Sequence, residues 1–451
     1  MRKGVISFAA ILISCFFLIR TVTTDKFWKI DYVITGDQNG YYEYLPAVFI
    51  YNDLQLHFAD SLLKGRAGIY VYEISPTEKR FIKYSCGVAY LNIPFFWGAH
   101  VYCLLFNQAA NGFSDPYEIG SIISAIFYLI IGLFFLRKVL LNYFNDLTTA
   151  CTLLLISIGT NLYYYSTTQP LMAHVYSFCV GTAFLYYVIE WYKKGSLFNS
   201  ISLGFCAGLL VLLRPVNILY VLVFLFFNIS NVADIKTKVQ LLISRKAAIL
   251  SIICSAVLVW IPQLFYWHYV SGKWFYFSYG QETFYFSNPA IIKGLFGFRN
   301  GWLIYTPVMI LALTGIYQLR KTVATFFVPL LLFTPLFIYI VLSWWCWWYV
   351  GFGNRAFIDA YPLFALPLAC TIKQILAFRF LPKIILIITI SFLVYLNLFQ
   401  CWQMKYGLLH WDSMTPKAYK AIFLKEYLPQ DFNDLLITPD YDGAKYRGKD
   451  R

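Results

Sequence analysis

A small set of strongly polar residues stands at the ends of very apolar stretches of this chain. They are Asp37, His174, Arg214, Arg299 and Arg355. A carboxylate can take a proton from a reacting hydroxyl group, and arginine binds phosphate through two parallel hydrogen bonds while keeping its charge near lipid. When the apolar stretches are threaded through a bilayer, all five residues fall on the same face. We therefore expect an integral membrane enzyme with an extracytoplasmic active site.

The composition requires the membrane interpretation. The 451 residues are 60% hydrophobic and only 13% charged, and a soluble domain has about 25% charged residues. Backbone that faces lipid must satisfy its own hydrogen bonds, so repeated apolar runs of about 20 residues predict a bundle of helices, and the alternation expected of a barrel is absent. The predicted fold class is an all-α polytopic membrane protein.

Threading the chain gives about eleven transmembrane helices. The predicted spans are Val5–Ile19, Ile119–Leu136, Thr148–Tyr165, Leu171–Trp191, Ile201–Leu213, Val216–Asn228, Ala247–Tyr266, Trp302–Leu319, Thr322–Leu342, Tyr361–Leu376 and Ile384–Cys401. Residues 1–401 form the transmembrane domain and 402–451 an extracytoplasmic tail. The first outer loop, about residues 21–117, carries interfacial helices, and we expect its half-apolar piece Tyr90–Phe106 not to span.

Loop charges set the orientation. With a cytoplasmic N-terminus, every cytoplasmic loop carries at least two positive charges, as the positive-inside rule requires. These residues are Arg137 with Lys138, Lys193 with Lys194, those within Lys236–Lys246, Arg320 with Lys321, and Arg379 with Lys383. If Tyr90–Phe106 crossed the membrane, most of them would lie outside. The net charge of +14 is therefore topological and does not indicate a nucleic-acid partner.

Asp37 has two interpretations. It precedes a rough amphipathic stripe in GDQNGYYEYLPAVFIYNDL (36–54), where an Asp caps a helix. On the face that carries the arginines, it is also a candidate base. If capping is its only role, Glu43 and Asp31 are the next candidates.

The other polar residues have structural alternatives as well. A single terminal Arg usually extends to headgroups, an ion pair with Arg355 is the expected role of Asp359 four residues later, and His174 at a helix end is typical of a structural hydrogen bond. Trp347 and Trp348 suit an interfacial belt or stacking on a sugar. No metal-ligand spacing occurs, so we predict no metal site; a disulfide among Cys86, Cys103, Cys346 and Cys401 stays open.

Several motifs resemble one superfamily of membrane enzymes. DQNGYYEYLPAVFIYNDL, PLMAHVYSF, LLRPVNIL, LFGFRNGWLIYTP, GFGNRAFIDAYPLFALP and LLHWDSMTPKAY, together with the early Asp in a long first loop, resemble the C-type glycosyltransferases (GT-C superfamily). These depend on lipid-phosphosugars and include protein O-mannosyltransferases and aminoarabinose transferases. The similarity is greatest to a Bacteroidetes-like branch. Relatives often have an Asp-Glu pair where this chain has Asp37-Gln38.

The resemblance implies inverting transfer of a sugar from a polyprenyl-phosphate donor to an extracytoplasmic glycan, lipid or protein at a bacterial inner membrane. It implies Asp37 as catalytic base. We expect Arg299, Arg355 and, more weakly, Arg214 at the donor phosphate. The predicted substrate pocket holds Tyr41, Tyr42, His174, Trp347, Trp348 and Asp359. The expected partners are the donor, membrane lipids and the acceptor, and no cofactor is implied; the sequence does not decide a divalent-metal requirement.

Two other functional classes remain open. A polyprenyl-linked glycan flippase or transporter would need charges near mid-membrane or broken helices in both halves, and the centres of the predicted spans are almost free of charge. An oligosaccharide polymerase would share outer arginines but usually has a large late loop, whereas the largest loop here comes first.

Overall fold

The computed structural model describes residues 4–30, 32–63 and 72–450. Almost all regular structure in that part of the chain is helical, and a two-stranded antiparallel ribbon pairs Glu73–Ile74 with Arg80–Phe81. Seven helical segments are long and apolar enough to cross a membrane. The all-α membrane class is thereby confirmed, and the count of eleven spans stays a prediction.

The first helix and the first loop come before the main bundle. Their helices are α1 (Val5–Asp25), α2 (Asp37–Tyr42), α3 (Tyr44–Phe49), α4 (His57–Leu62) and α5 (Gly87–Leu105).

The bundle then runs from α6 to α19, with short 3₁₀ turns between some helices. Its helices are α6 (Asp115–Leu140), α7 (Asp146–Ile158), α8 (Leu162–Thr167), α9 (Ala173–Lys193), α10 (Leu197–Leu213), α11 (Tyr220–Phe226), α12 (Val232–Ser244), α13 (Lys246–Ser271), α14 (Ile291–Phe296), α15 (Trp302–Tyr305), α16 (Ile310–Thr322), α17 (Phe327–Leu342), α18 (Tyr361–Ala377) and α19 (Phe380–Lys405). The tail adds α20 (Pro416–Ile422) and α21 (Tyr441–Arg447). The 3₁₀ turns span Phe27–Lys29, Pro215–Leu219, Pro307–Met309, Ala324–Phe326, Arg355–Ala360 and Phe432–Leu435.

Helices of very unequal length stand side by side. Gly204 and Gly208 of α10 pack on the α13 backbone, and the Trp260 indole donates to the Gly208 carbonyl at 3.0 Å. An added Cβ at Gly204 would collide with the Ile252 carbonyl. The two helices run in parallel, but α10 ends at Leu213 and α13 continues to Ser271. At 1.5 Å per residue, α13 extends roughly 15 Å beyond the end of α10, and we call the space beside this overhanging part of α13 the basin.

The first loop descends into this basin along α13. The Thr77 hydroxyl donates to the Val270 carbonyl at 2.6 Å, and the Cys86 amide donates to the Gln263 side chain at 2.8 Å. The Ser85 hydroxyl then reaches the Leu212 carbonyl at the end of α10. The loop therefore places residues 81–86 beside the ends of the short helices.

Helix α5 begins beside the end of α10, where Gly87 lies against the Leu212 backbone, and then runs along α6. The Tyr128 hydroxyl of α6 donates to the Leu91 carbonyl at 3.0 Å, and His100 lies 2.6 Å from the Tyr117 hydroxyl near the start of α6. The two helices are therefore antiparallel, and α5 ends beside the first turns of α6. Because α5 is itself long and apolar enough to cross a membrane, the expectation that this segment does not span stays a prediction.

Three other predicted spans are interrupted. The segment predicted over Thr148–Tyr165 divides into α7 and α8, and the one over Trp302–Leu319 divides at Pro307 into α15 and α16. Val216–Asn228 is a 3₁₀ turn followed by the seven-residue α11. Asn, Gly and Pro at these breaks account for them, since they leave or cap helical backbone more readily than they continue it.

All ten cysteines lie in the described part of the chain and all are free thiols. The disulfide that the sequence left open is therefore not formed.

Candidate functional site

The ends of the short helices and the first loop bring five charged or polar side chains together. We call Asp37, His174, Arg214, Arg355 and Asp359 the charge cluster. Asp37 begins α2, His174 lies in the first turn of α9, and Arg355 and Asp359 share the 3₁₀ turn before α18. Arg214 directly follows α10 with φ −153° and ψ 124°. The next residue is Pro215, which disfavours helical geometry at the residue before it and so ends α10 at the cluster.

The Asp37 carboxylate is held from two sides. The Tyr84 hydroxyl donates to Oδ1 at 2.6 Å, and the Arg355 guanidinium pairs with Oδ2. The Asp37 side chain is 37% exposed, while that of Arg355 is 14% exposed. An incoming group can therefore reach the carboxylate, although its orientation is fixed.

The capping interpretation of Asp37 is wrong. The N-cap position of α2 belongs to Gly36, whose φ of 53° suits glycine, and Asp37 is the first helical residue. No side-chain capping bond forms at this helix end among the described residues. The carboxylate instead points to Tyr84 and Arg355.

The electrostatic surroundings keep Asp37 ionised. Burial by itself would raise the pKa of the carboxyl group, but the charge of Arg355 and the hydrogen bonds from Tyr84 and Arg355 outweigh it, and the pKa lies below its usual range. At neutral pH the group is therefore a carboxylate, which can accept a proton.

Asp359 is fully buried and forms the second ion pair of the charge cluster, beside the pair of Asp37 with Arg355. Its Oδ1 lies 3.0 Å from His174 Nδ1, and its Oδ2 lies 3.2 Å from Arg214 Nε. The expected ion pair with Arg355 is wrong, because Arg355 turns to Asp37 and Asp359 turns to Arg214. His174 also lies against Arg214, with Nδ1 3.0 Å from Nη1. Asp359 and His174 thus fix the orientation of Arg214.

Tyrosines surround the two arginines. The Tyr41 and Tyr84 rings are 4.3 Å apart at their centroids, and Tyr279 packs edge-on against Tyr84 at 6.1 Å. The Arg214 guanidinium lies 5.5 Å from the Tyr349 ring centroid, a cation–π contact. Burial raises the pKa of Tyr41 to about 12, so its hydroxyl stays protonated at neutral pH.

The structure adds a cation that sequence reasoning missed. Lys83 forms an ion pair with Glu282, and both side chains are largely buried. Its ammonium lies 5.0 Å from the Tyr279 ring and 5.7 Å from the Tyr84 ring. No spacing pattern indicates this pair, because the two residues are 199 positions apart and lie in irregular loops.

Four predicted site residues lie away from these contacts. Arg299 pairs with Asp450 at 3.0 Å and donates to the Ile437 carbonyl at 2.9 Å, so it fastens the tail. Trp347 and Trp348 are buried near Ala444 of α21. The Tyr42 hydroxyl donates to the Gly112 carbonyl at 2.6 Å, so this ring supports the loop before α6.

Of the two fallback carboxylates, Glu43 and Asp31, the structure describes only Glu43. Glu43 is fully buried and receives a hydrogen bond from the Asn39 side chain at 2.6 Å. Burial outweighs that bond and raises the pKa of Glu43 well above its usual range. Asp31 lies outside the described residues.

We expect Asp359→Asn to destabilise the protein strongly. The substitution keeps the side-chain shape but leaves the Arg214 charge buried without a counter-ion, and breaking a buried ion pair typically costs about 3–5 kcal/mol. The measurement is the thermal unfolding midpoint of the purified protein in lipid nanodiscs. A double variant, Asp359→Asn with Arg214→Gln, removes both charges and should be less destabilised than the sum of the two single changes. Strict additivity would contradict the coupling.

The chain matches no model of a known protein family, and no curated protein is significantly similar to it in sequence. The function is therefore argued from the geometry of the charge cluster.

Proposed function

We propose that this protein is an inverting glycosyltransferase that moves a sugar from a polyprenyl-phosphate donor to an extracytoplasmic acceptor. The observation that carries the proposal is the ionised, partly exposed Asp37 carboxylate between Tyr84 and Arg355, with a second arginine in the same cluster. The arrangement supplies a proton acceptor and cationic donors at one place, which is what displacement of a lipid phosphate by a hydroxyl group requires.

In the proposed step the acceptor hydroxyl attacks the anomeric carbon of the donor sugar. Its proton passes to Asp37 as the new carbon–oxygen bond forms, and the bond to the phosphate oxygen breaks on the opposite face, so the configuration inverts. The electron pair leaves with the polyprenyl phosphate. A phosphate is a good leaving group and needs neutralisation of its charge more than it needs a proton.

Arg214 and Arg355 are the proposed phosphate ligands. Nη2 of Arg355 contacts the Asp37 carboxylate, and Nε of Arg214 contacts the Asp359 carboxylate. A guanidinium carries five N–H donors, so donors remain on each. Because Arg355 contacts both the base and the proposed phosphate site, it also sets the distance between the attacking and leaving groups. Lys83 lies behind Tyr84 as a further cation.

We propose that the cluster faces the extracytoplasmic side. Eleven spans with a non-spanning α5 place the paired Lys/Arg residues in the cytoplasm, as the positive-inside rule requires. The basic helix α12 then lies at the cytoplasmic surface, with Val232 83% and Ile243 67% exposed, as an interfacial helix would show.

Labelling of single cysteines tests this orientation. We expect a membrane-impermeant maleimide to modify Glu78→Cys in intact cells and to leave Lys193→Cys unmodified until the membrane is permeabilised. Both native positions are exposed, whereas Ser75 in the same loop is buried. The reverse labelling pattern would show that the orientation is wrong.

We expect Asp37→Asn to abolish transfer while leaving folding and donor binding intact. General-base catalysis contributes about 10²–10⁴-fold. The measurement is release of polyprenyl phosphate from a panel of polyprenyl-phosphate sugars. Glu43→Gln is the matched control, because Glu43 is a buried carboxyl group of the same helical segment that lies outside the charge cluster. Normal transfer by a well-folded Asp37→Asn enzyme would refute the role of Asp37 as the base.

The arginines are tested by donor binding. We expect Arg214→Gln and Arg355→Gln each to weaken binding of a polyprenyl phosphate by at least about tenfold, because a hydrogen bond to a charged group contributes about 1.5–3 kcal/mol. Arg299→Gln should leave that affinity unchanged, since Arg299 binds the tail. Loss of affinity in Arg299→Gln with none in the other two would refute this assignment and leave Arg299 alone of the three arginines expected at the donor phosphate.

A further inference from the structure

A cavity of about 460 Å³ opens between the loop before α14, the end of α17 and the tail. Its volume lies in the range of about 300–1,000 Å³ that is typical of small-molecule sites. It is separate from the charge cluster, and none of the five cluster residues lines it.

The cavity combines aromatic and polar walls. Trp344, Trp345, Trp347 and Tyr285 are among its lining residues. Lys293 also lines it, with its ammonium 2.7 Å from Asp450 Oδ1 and 5.9 Å from the centroid of the Trp347 ring. Flat aromatic faces beside a few polar groups suit a ring that is apolar on its faces and polar at its edge.

The tail closes the cavity. The Tyr285 hydroxyl donates to the Lys445 carbonyl at 2.5 Å, and the Asn288 side chain donates to the Gly448 carbonyl at 2.9 Å. Asp450 receives ion pairs from both Lys293 and Arg299. Arg299 therefore holds Asp450, one of the residues that line this cavity, and does not belong to the charge cluster.

Two segments separate the cavity from the charge cluster. Phe284 and Trp344 form a β-bridge, and the Trp345 amide donates to the Thr283 carbonyl at 3.1 Å. On the cluster side, the Tyr279 ring contacts Tyr84. The Tyr279 ring also packs edge-on against Trp344 at 5.7 Å, so the two sites share a wall.

We propose that this cavity binds a saccharide unit of the acceptor. The proposal rests on the proposed function in one respect, that the saccharide is the acceptor. A hydrocarbon chain would leave Lys293, Asp450 and Asn288 against an apolar surface. A free phosphate would find the Lys293 charge already neutralised by Asp450. A sugar ring suits this lining, because its C–H face packs on indole and its hydroxyl groups bond to the neighbouring polar residues.

Binding is measured without turnover. The full-length protein in lipid nanodiscs, free of maltoside detergent, is titrated with N,N′-diacetylchitobiose, cellobiose and a hyaluronan disaccharide. Saturation-transfer NMR reports the bound sugar. We expect a saturable signal from at least one disaccharide, and at least a tenfold weaker affinity in Ala290→Leu, which fills the cavity, and in Trp345→Leu, which removes part of its wall.

Controls separate the cavity from general effects. Ala377→Leu, on an exposed position at the end of α18, and Trp274→Leu, 48% exposed in the loop after α13, should bind as the unchanged protein does. Thermal midpoints show which variants are folded. The proposal is overturned if none of the three disaccharides binds, if binding survives both cavity variants, or if glycerol 3-phosphate, a lipid-headgroup probe, binds as well as the sugars. Disaccharide binding that persists while Asp37→Asn retains transfer would refute the catalytic proposal alone.

Discussion

The ion pair between Asp359 and Arg214 is the interaction on which the site depends. An arginine at the end of a membrane helix normally turns to the headgroups, because a buried charge without a partner is very costly. Here Asp359 is fully buried and the Arg214 side chain is 15% exposed, so the charge stays inside the bundle. His174 contacts both, and the Tyr220 hydroxyl holds the Asp359 carbonyl at 2.6 Å. The second pair, Asp37 with Arg355, can then form beside a fixed neighbour.

The unequal lengths of neighbouring helices create the space that the charge cluster occupies. Because α10 ends at Leu213 while α13 continues, polar backbone at the end of α10 lies below the end of its longer neighbour. The first loop fills that space and satisfies the exposed groups, as the Ser85 bond to the Leu212 carbonyl shows. The same loop brings Asp37 and Tyr84 to the arginines. One segment, the first loop, therefore both satisfies the exposed backbone groups and brings Asp37 and Tyr84 to the arginines.

The sequence predicted the membrane class, the ends of most long helices and four cluster residues besides Asp37, because apolar runs and terminal charges are local signals. It did not predict which charges pair. Arg355 and Asp359 are four residues apart, a spacing that favours an ion pair on an α-helix, but the 3₁₀ turn and two distant partners separate them. Arg299 looked equivalent to Arg355 because both follow glycine-containing loops. Only tertiary contacts with Asp450 distinguish it, and those span 151 residues.

The depth of the basin limits what can approach Asp37. The long neighbour α13 rises roughly 15 Å above the ends of the short helices, and the first loop occupies part of the opening. Under the proposed function, an acceptor hydroxyl group has to pass this wall to reach Asp37. The end of a thin, flexible chain meets that condition more easily than the rigid surface of a folded domain does. Cross-section would then limit the acceptors before any side chain recognises them.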